Sequence, residues 1–347
     1  MNREIYLYGA GGLGTKLKSL LDHSPIVVLG FVDPKKAGQS IDGIPVLNFE
    51  ELQPNSEIWI SVLNNWVSVN EIIDTASRFG CTNVLTPPKV FGELAKLDIE
   101  LDWYWLTSDQ KRVFDFAEEA SAFFQDRFDE KSFGILHSIL TYRLGGRLDE
   151  SIILPESQQY LETGIPDFWS GHVSLIDCGA YTGDTLQSIV KRGIKLEYAV
   201  AFEPDFINFA KLTDSFKTLG LKGFCIPAAI GDQLRLVGLQ AQGTSGANIT
   251  SLGDAENYCL EVPGGMVIND VPITHIKMDI EGFELNALTG LRDILVKHHP
   301  SLAISVYHRP DDLVAIPRFI EDIGGYSKWS LRTFANQTFE SILYVSA

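Results

Sequence analysis

Short apolar runs alternate with amphipathic stretches over residues 1 to 98, vanish from about Leu97 to Pro166, and return from His172 to the end. In the first region, apolar runs at 5–8, 26–32, 58–62 and 83–85 predict strands, and apolar spacing near 3.6 residues predicts helices over 12–22 and 67–79. Such alternation marks a small parallel α/β unit, too short to hold both halves of a dinucleotide site comfortably. In the middle region Val113, Phe116, Ala117, Ala120, Phe123 and Phe124 recur at helical spacing, which predicts a helical connector. Its aromatics Trp103, Tyr104, Trp105 and Tyr142 read as core or packing residues. Beyond it, strands at 173–177, 198–202, 224–226, 276–278 and 302–306 alternate with helices that start after Gly183 and near Pro204 and that span 283–296 and 312–323. A polar excursion over 238–265 is placed to cover a site, and 329–334 with 341–345 predict a closing antiparallel hairpin on an otherwise parallel sheet. Nothing repeats at a fixed period. The expected organisation is α/β throughout: a Rossmann-like domain over 1–98, a helical connector over 99–166 and a doubly wound domain over 167–347.

Composition narrows the partners. At 347 residues and 45% hydrophobic content the chain can bury more than one core. Its 45 acidic against 28 basic residues leave a net charge of −17, which repels nucleic acid phosphates and anionic membranes. The basic clusters, Lys16 with Lys18 and Lys35 with Lys36, are short and read as solvated faces. Cys81, Cys178, Cys225 and Cys259 lack metal-ligand spacing and sit mostly in apolar runs, as in a reduced, cytoplasmic protein. No apolar run reaches the roughly 18 residues of a membrane span. The chain enters a strand at Glu4, so no secretion leader is expected.

The densest chemical signal is Asp177-Cys178-Gly179-Ala180-Tyr181-Thr182-Gly183-Asp184-Thr185, a carboxylate ending a buried strand, then glycines, then a helix start. This is a cofactor cradle in which Asp177 could hold the ammonium of a methionine moiety through water and Gly179 to Gly183 leave room for a sulfonium arm. The next strand ends in Phe202-Glu203-Pro204-Asp205, and Glu203 suits the two hydroxyls of an adenosine ribose. A dinucleotide site uses the same device, but the loop after Asp177 lacks the three spaced glycines of a pyrophosphate site. After the third strand, the small residues of Pro227-Ala228-Ala229-Ile230-Gly231-Asp232 could let an adenine lie against the backbone at Ala229, or form an ordinary strand-end turn. The fourth strand delivers Lys277-Met278-Asp279-Ile280-Glu281-Gly282-Phe283-Glu284, charges that are costly at a buried strand end unless paired, solvated or functional. The fifth ends at Tyr307-His308, where a histidine can work as a general base near neutral pH.

Together these blocks resemble the FkbM-type methyltransferases, from Tyr142-Arg143-Leu144 through the Asp177, Glu203 and Asp279 blocks to Ala303-Ile304-Ser305-Val306-Tyr307-His308. The resemblance implies a seven-stranded methyltransferase sheet, S-adenosylmethionine as cofactor, and methyl transfer, commonly to oxygen on sugars, glycans or other natural products. On that reading Asp177, Gly179, Ala180, Tyr181, Thr182, Asp184, Thr185, Glu203, Pro204, Ala229 and Asp279 surround the cofactor, and Asp279 and His308 are the catalytic pair. Divalent metal is left open: Asp279, Glu281, Asp311 and Asp312 could assemble an oxygen-rich magnesium site, though no spacing requires it. The N-terminal block Gly9-Ala10-Gly11-Gly12-Leu13-Gly14, with Asp33 after the second strand, is similar to the N-terminal domain of acyltransferases acting on nucleotide sugars. It lacks their hexapeptide-repeat part. That similarity implies a nucleotide or nucleotide-linked substrate at Gly9, Gly11, Gly14 and Asp33.

Two other functions compete. An NAD-dependent oxidoreductase would use Gly9 to Gly14 and Asp33, but leaves the second glycine loop unexplained and offers no catalytic His, Lys or Tyr-x-x-x-Lys in the short first domain. A protein that only binds nucleotide sugar would have no need of Asp177, Glu203, Asp279 and His308 together.

Overall fold

Strand-forming runs and amphipathic helices assemble, in a computed structural model, into two compact units. The structure describes residues 3–347 except 162–163, 166–167, 241–247, 251–252, 254, 256 and 269–270.

The first unit comprises residues 1–123, 134–153 and 333–340. Its sheet contains β1 (Arg3–Tyr8), β2 (Ile26–Val32), β3 (Ser40–Ile41), β4 (Ile44–Leu47), β5 (Ile58–Ile60) and β6 (Val84–Leu85), in the order β3-β4-β2-β1-β5-β6. All neighbours are parallel except the β3–β4 pair. Four of these strands were expected from the sequence; β3 and β4, which pair with each other as an antiparallel turn beside β2, were not. Helices α1 (Gly12–Leu21), α2 (Val69–Arg78) and α3 (Pro87–Ala95) follow. Ser68 caps α2 by accepting the Glu71 amide, and Pro87 opens α3, where a missing N–H costs nothing.

The stretch read as purely helical also holds a strand pair, β7 (Asp102–Trp103) and β8 (Leu106–Thr107), before α4 (Gln110–Phe124) and α5 (Glu130–Arg143). The pair turns at Tyr104, in left-handed backbone at φ 52°, a turn that no glycine or proline announces. Contacts divide 99–166 between the two units.

The second unit comprises 124–133, 154–332 and 341–347. Its elements are β9 (Val173–Cys178), α6 (Asp184–Lys191), β10 (Leu196–Phe202), α7 (Phe206–Thr218), β11 (Gly223–Ile226), β12 (Ala229–Gly231), β13 (Arg235–Gln240), β14 (Asn248–Thr250), β15 (Asn257–Pro263), α8 (Gly264–Val267), β16 (His275–Met278), α9 (Glu284–Gly290), α10 (Arg292–His298), β17 (Ser301–Ser305), α11 (Asp312–Ile323), β18 (Lys328–Thr333) and β19 (Ser341–Ser346). The main sheet has seven strands in the order β11-β10-β9-β16-β17-β19-β18. Strand β19 runs antiparallel to β17; the other pairs from β11 to β17 are parallel. Strands β9 and β16 are buried along their whole length, which explains why they read as apolar runs and not as alternations.

Two expectations change here. The polar excursion is largely a second sheet, β12-β15-β13-β14, although its residues 241–247, 251–252, 254 and 256 lie outside the described ones. The helix expected over 283–296 is two helices, α9 and α10, that meet at Leu291 after Gly290, a residue with poor helix propensity. No helix among the described residues is long and apolar enough to cross a membrane.

Candidate active site

Strand order reverses between β9 and β16, and open α/β sheets bind ligands at the carboxyl ends of the strands flanking such a point. There the second unit has a pocket lined by Gly179, Tyr181, Phe202, Glu203, Pro204, Ala228, Ala229, Ile230, Ile249, Asp279, Ile280, Glu281 and Phe283. Of the residues expected around a cofactor, Gly179, Tyr181, Glu203, Pro204, Ala229 and Asp279 line it. Asp177, Ala180, Thr182, Asp184 and Thr185 do not. Ala180 is packed into the core, Thr185 is buried on α6, and Asp184 begins that helix.

Asp177 instead lies beneath the turn. It is the register partner of Lys277 on the adjacent parallel strand, so both side chains project to one face, and Lys277 Nζ stands 3.1 Å from Asp177 Oδ1. The same ammonium donates to the Gly179 carbonyl at 2.6 Å and lies over the Tyr160 ring. Burial pushes the Asp177 carboxyl up against the pull of Lys277. For Lys277 burial alone would lower the pKa, but Asp177, Asp279 and Asp184 raise it, so the lysine keeps its charge. A Cβ at Gly179 would overlap the Asp279 carbonyl oxygen, and its φ of 76° suits glycine. The turn is therefore clamped from below by an ion pair and from the side by the β16 backbone.

Glu203 is 4% exposed and accepts the amides of Tyr181 and Asp205, each at 2.9 Å. Burial pushes its carboxyl up to about 7, against the pull of those two amides. A carboxylate offers about four acceptor positions, so two are left to face the pocket.

Asp279 accepts the Tyr160 hydroxyl at 2.8 Å and the Tyr307 hydroxyl at 3.3 Å. His308 sits behind it, buried, with Nδ1 at 2.9 Å from Glu284 Oε1 and Nε2 at 3.4 Å from Asp279 Oδ1 and 3.7 Å from Glu281 Oε2. Burial would lower the His308 pKa, but Glu284 above all, then Asp279 and Glu281, raise it to about 10. The carboxylates around it favour the protonated ring, which lies outside the pocket wall. His308 was expected to take the acceptor's proton or orient its hydroxyl; the raised pKa favours a ring that already carries its proton, and the ring is not among the residues that line the pocket. Glu281 does line the pocket, in left-handed backbone at φ 57°, with its carboxyl pushed up to about 7 by burial, relieved in part by His308. Asp311 and Asp312 do not join this group. Asp312 Oδ2 accepts the Arg309 amide at the start of α11, and the donor group the structure assembles among the described residues is Asp279, Glu284 and His308.

Sequence reasoning missed Tyr160 and the part played by Lys277. Tyr160 lies 119 residues before Asp279 in an irregular stretch, where no pattern links them. Lys277 was visible as a charge in an apolar strand, and the register that aims it at Asp177 needed the sheet.

In the first unit a pocket is lined by Tyr8, Gly9, Gly11, Gly12, Leu13, Asp33, Pro34, Lys35, Lys36, Ser61, Val62, Leu63, Asn64, Val67, Trp103 and Tyr104. Gly14 lies too close to the Gly9 carbonyl to admit a Cβ, so it shapes the turn and stays out of the pocket. Asp33 accepts the amides of Ala10 at 3.2 Å and Lys35 at 3.0 Å. Trp105 and Tyr142 are buried as expected of packing residues, whereas Trp103 and Tyr104 form pocket wall.

A seven-stranded sheet with an inserted antiparallel strand and a pocket at its reversal point is the methyltransferase fold. Residues 266–327 match the family model of the methyltransferase FkbM domain. The chain is similar to the crystal structure of methyltransferase FkbM from Methylobacillus flagellatus KT, with a TM-score of 0.76 and 23% identity over 99% of this chain and 90% of that one. It is also similar to an rRNA methylase from Streptococcus thermophilus (TM-score 0.34, 14% identity, 52% of this chain and 92% of that one). A Streptococcus mutans protein described as a methyltransferase and solved with SAH gives a TM-score of 0.36 and 11% identity over 56% of this chain and 99% of that one. No curated protein matches the chain.

Proposed function

We propose that the second unit binds S-adenosylmethionine in the pocket at the β9–β16 reversal and transfers its methyl group to a hydroxyl of a sugar, glycan or related natural product. The observation that carries this reading is the pocket itself: one buried carboxylate with acceptor capacity to spare, Glu203, between an apolar wall and a glycine turn. The donor set suits the cofactor. Phe202, Ala228, Ile230, Ile249 and Phe283 give an adenine flat apolar surroundings, Glu203 gives the ribose hydroxyls an acceptor, and Gly179 to Tyr181 give the methionine arm backbone without bulk.

When bound, the cofactor supplies an electrophilic methyl group on a sulfonium. The residues of this chain must align the acceptor oxygen with it and remove a proton as the new bond forms. Asp279 already holds two tyrosine hydroxyls, so its part is to position the acceptor. Glu281 lines the same pocket and takes the acceptor's proton. His308, charged and behind them, holds the carboxylates in place. Asp177 supports the turn through Lys277.

The N-terminal pocket serves substrate selection in this reading. Its glycine turn opens α1, Lys35 and Lys36 stand at its edge and Trp103 and Tyr104 form a wall, a combination suited to a nucleotide-linked sugar. The test is calorimetry with S-adenosylhomocysteine and with NAD, then a methyl-transfer screen over nucleotide sugars and free glycans. Binding of NAD but not of S-adenosylhomocysteine refutes the proposal.

A further inference from the structure

Charge is unevenly divided around the pocket of the second unit. Glu203, Asp279 and Glu281 line it, and among the described residues no lysine, arginine or histidine does. The two buried cations behind it are committed, Lys277 to Asp177 and the Gly179 carbonyl, His308 to Glu284, Asp279 and Glu281. Arg309 is placed differently. It follows β17 and His308, is exposed, and holds its guanidinium over the ring of Phe283, 5.8 Å from the centroid, where Phe283 is pocket wall. Among the described residues that guanidinium makes no hydrogen bond and no ion pair, in a chain with 45 acidic residues against 28 basic ones. Its position is nonetheless fixed. The Arg309 amide donates to Asp312 Oδ2 at 2.7 Å, and stacking on an aromatic face restrains the side chain while its N–H edge stays free. Gly282, at φ 94°, leaves room for it, since a Cβ there would stand 3.1 Å from Arg309 Nε.

We infer that Arg309 is an anion subsite at the wall of this pocket, and that the acceptor is a sugar carrying a phosphate ester. The inference rests on the methyl-transfer reading and narrows its acceptor. A phosphate inside the pocket would face Glu203, Asp279 and Glu281 with no cation among the lining residues, and such repulsion grows where water is excluded. A neutral hydroxyl meets no such barrier. The guanidinium on the Phe283 wall has the opposite character, because its parallel N–H donors match the oxygens of a phosphate two at a time. An acceptor with both groups is therefore oriented by charge: the hydroxyl enters among the carboxylates and the phosphate stays with Arg309. A free sugar phosphate and a nucleotide-linked sugar share this chemistry. Arg309 thus acts on the choice and orientation of acceptor and takes no part in the proton or methyl transfer.

The test measures binding of glucose 1-phosphate, UDP-glucose and glucose to the full chain by saturation-transfer magnetic resonance, with and without S-adenosylhomocysteine. One or both phosphate-bearing sugars should bind more tightly than glucose. Arg309→Gln should weaken that binding by about tenfold to a hundredfold, as expected for the loss of charge-assisted hydrogen bonds, and leave glucose unaffected. Arg309→Lys, which keeps the charge without the planar fork, should recover part of it. Preference for glucose 1-phosphate indicates a free sugar phosphate, and preference for UDP-glucose a nucleotide-linked one. Phosphate-bearing sugars that bind no better than glucose at millimolar concentration, or equally well in Arg309→Gln, overturn the subsite. UDP-glucose binding that survives Arg309→Gln and is lost in Lys35→Gln belongs to the N-terminal pocket and overturns it too. Calorimetry with S-adenosylhomocysteine separates the two ideas. Cofactor binding without phosphate binding that depends on Arg309 refutes the subsite alone, and phosphate binding that depends on Arg309 without cofactor binding refutes the methyl-transfer reading.

Discussion

Cofactor binding should expel a proton from Glu203, and the amount can be worked out from its surroundings. In the free protein burial holds this carboxyl at about 7, against an ordinary value of 4.5. Ribose hydroxyls that donate to it stabilise only the ionised form, so the bound complex should return it toward the ordinary value. At pH 6 the free site then carries about 0.9 of a proton and the complex almost none, so each binding event releases about 0.9 proton. Affinity should rise about tenfold per pH unit up to 7 and level off above it, with a ceiling of about 300-fold for a shift of roughly 2.5 units. The assay is calorimetry of S-adenosylhomocysteine at pH 6 in buffers of different ionisation enthalpy, where the slope of heat against buffer enthalpy counts protons. Glu203→Gln should abolish the slope. A slope of zero in the unaltered protein, or one that survives in Glu203→Gln and so comes from another pocket carboxylate such as Glu281, would refute the assignment of Glu203 to the ribose.

Other substitutions probe the support of the site and its chemistry. Lys277→Met leaves the Asp177 carboxylate buried without its cation, and chemical denaturation of the second unit should show a loss of about 3–5 kcal/mol. Gly179→Ala places a methyl group on the Asp279 carbonyl, so calorimetry should find cofactor binding lost while circular dichroism keeps its native form; normal affinity would mean that the turn can move aside. Glu281→Gln should lower turnover on the true acceptor by about 10²- to 10⁴-fold with S-adenosylhomocysteine affinity preserved, and full turnover would return the proton-accepting role to another group.

Much of this molecule could be read from its residues because local rules act within short windows. Strands β9, β10, β16 and β17 announced themselves as apolar runs, and a parallel sheet buried on both faces makes that signal strong. The Gly179 turn and the Glu203 strand end were legible for a related reason: a backbone that bends sharply and a carboxylate at a buried strand end each demand particular residue types. Some short strands carried no such signal. β3, β7 and β14 have two or three residues and no apolar run of their own, unlike the equally short β5 and β6, and pairing partners decide whether such residues become strand.

Which charges meet was decided by tertiary structure alone. Asp177 and Lys277 are a hundred residues apart, and only the register of β9 against β16 makes them partners beneath the Gly179 turn. Tyr160 reaches Asp279 across a comparable gap from a segment with no periodicity. His308 was correctly placed at a strand end near Asp279, but its protonation depends on how many carboxylates the fold gathers around it, with Glu284 on one nitrogen and Asp279 and Glu281 beyond the other. A sequence shows that a residue can be charged. Its state in the protein follows from the sum of burial and every neighbouring charge, and that sum exists only once the chain has folded.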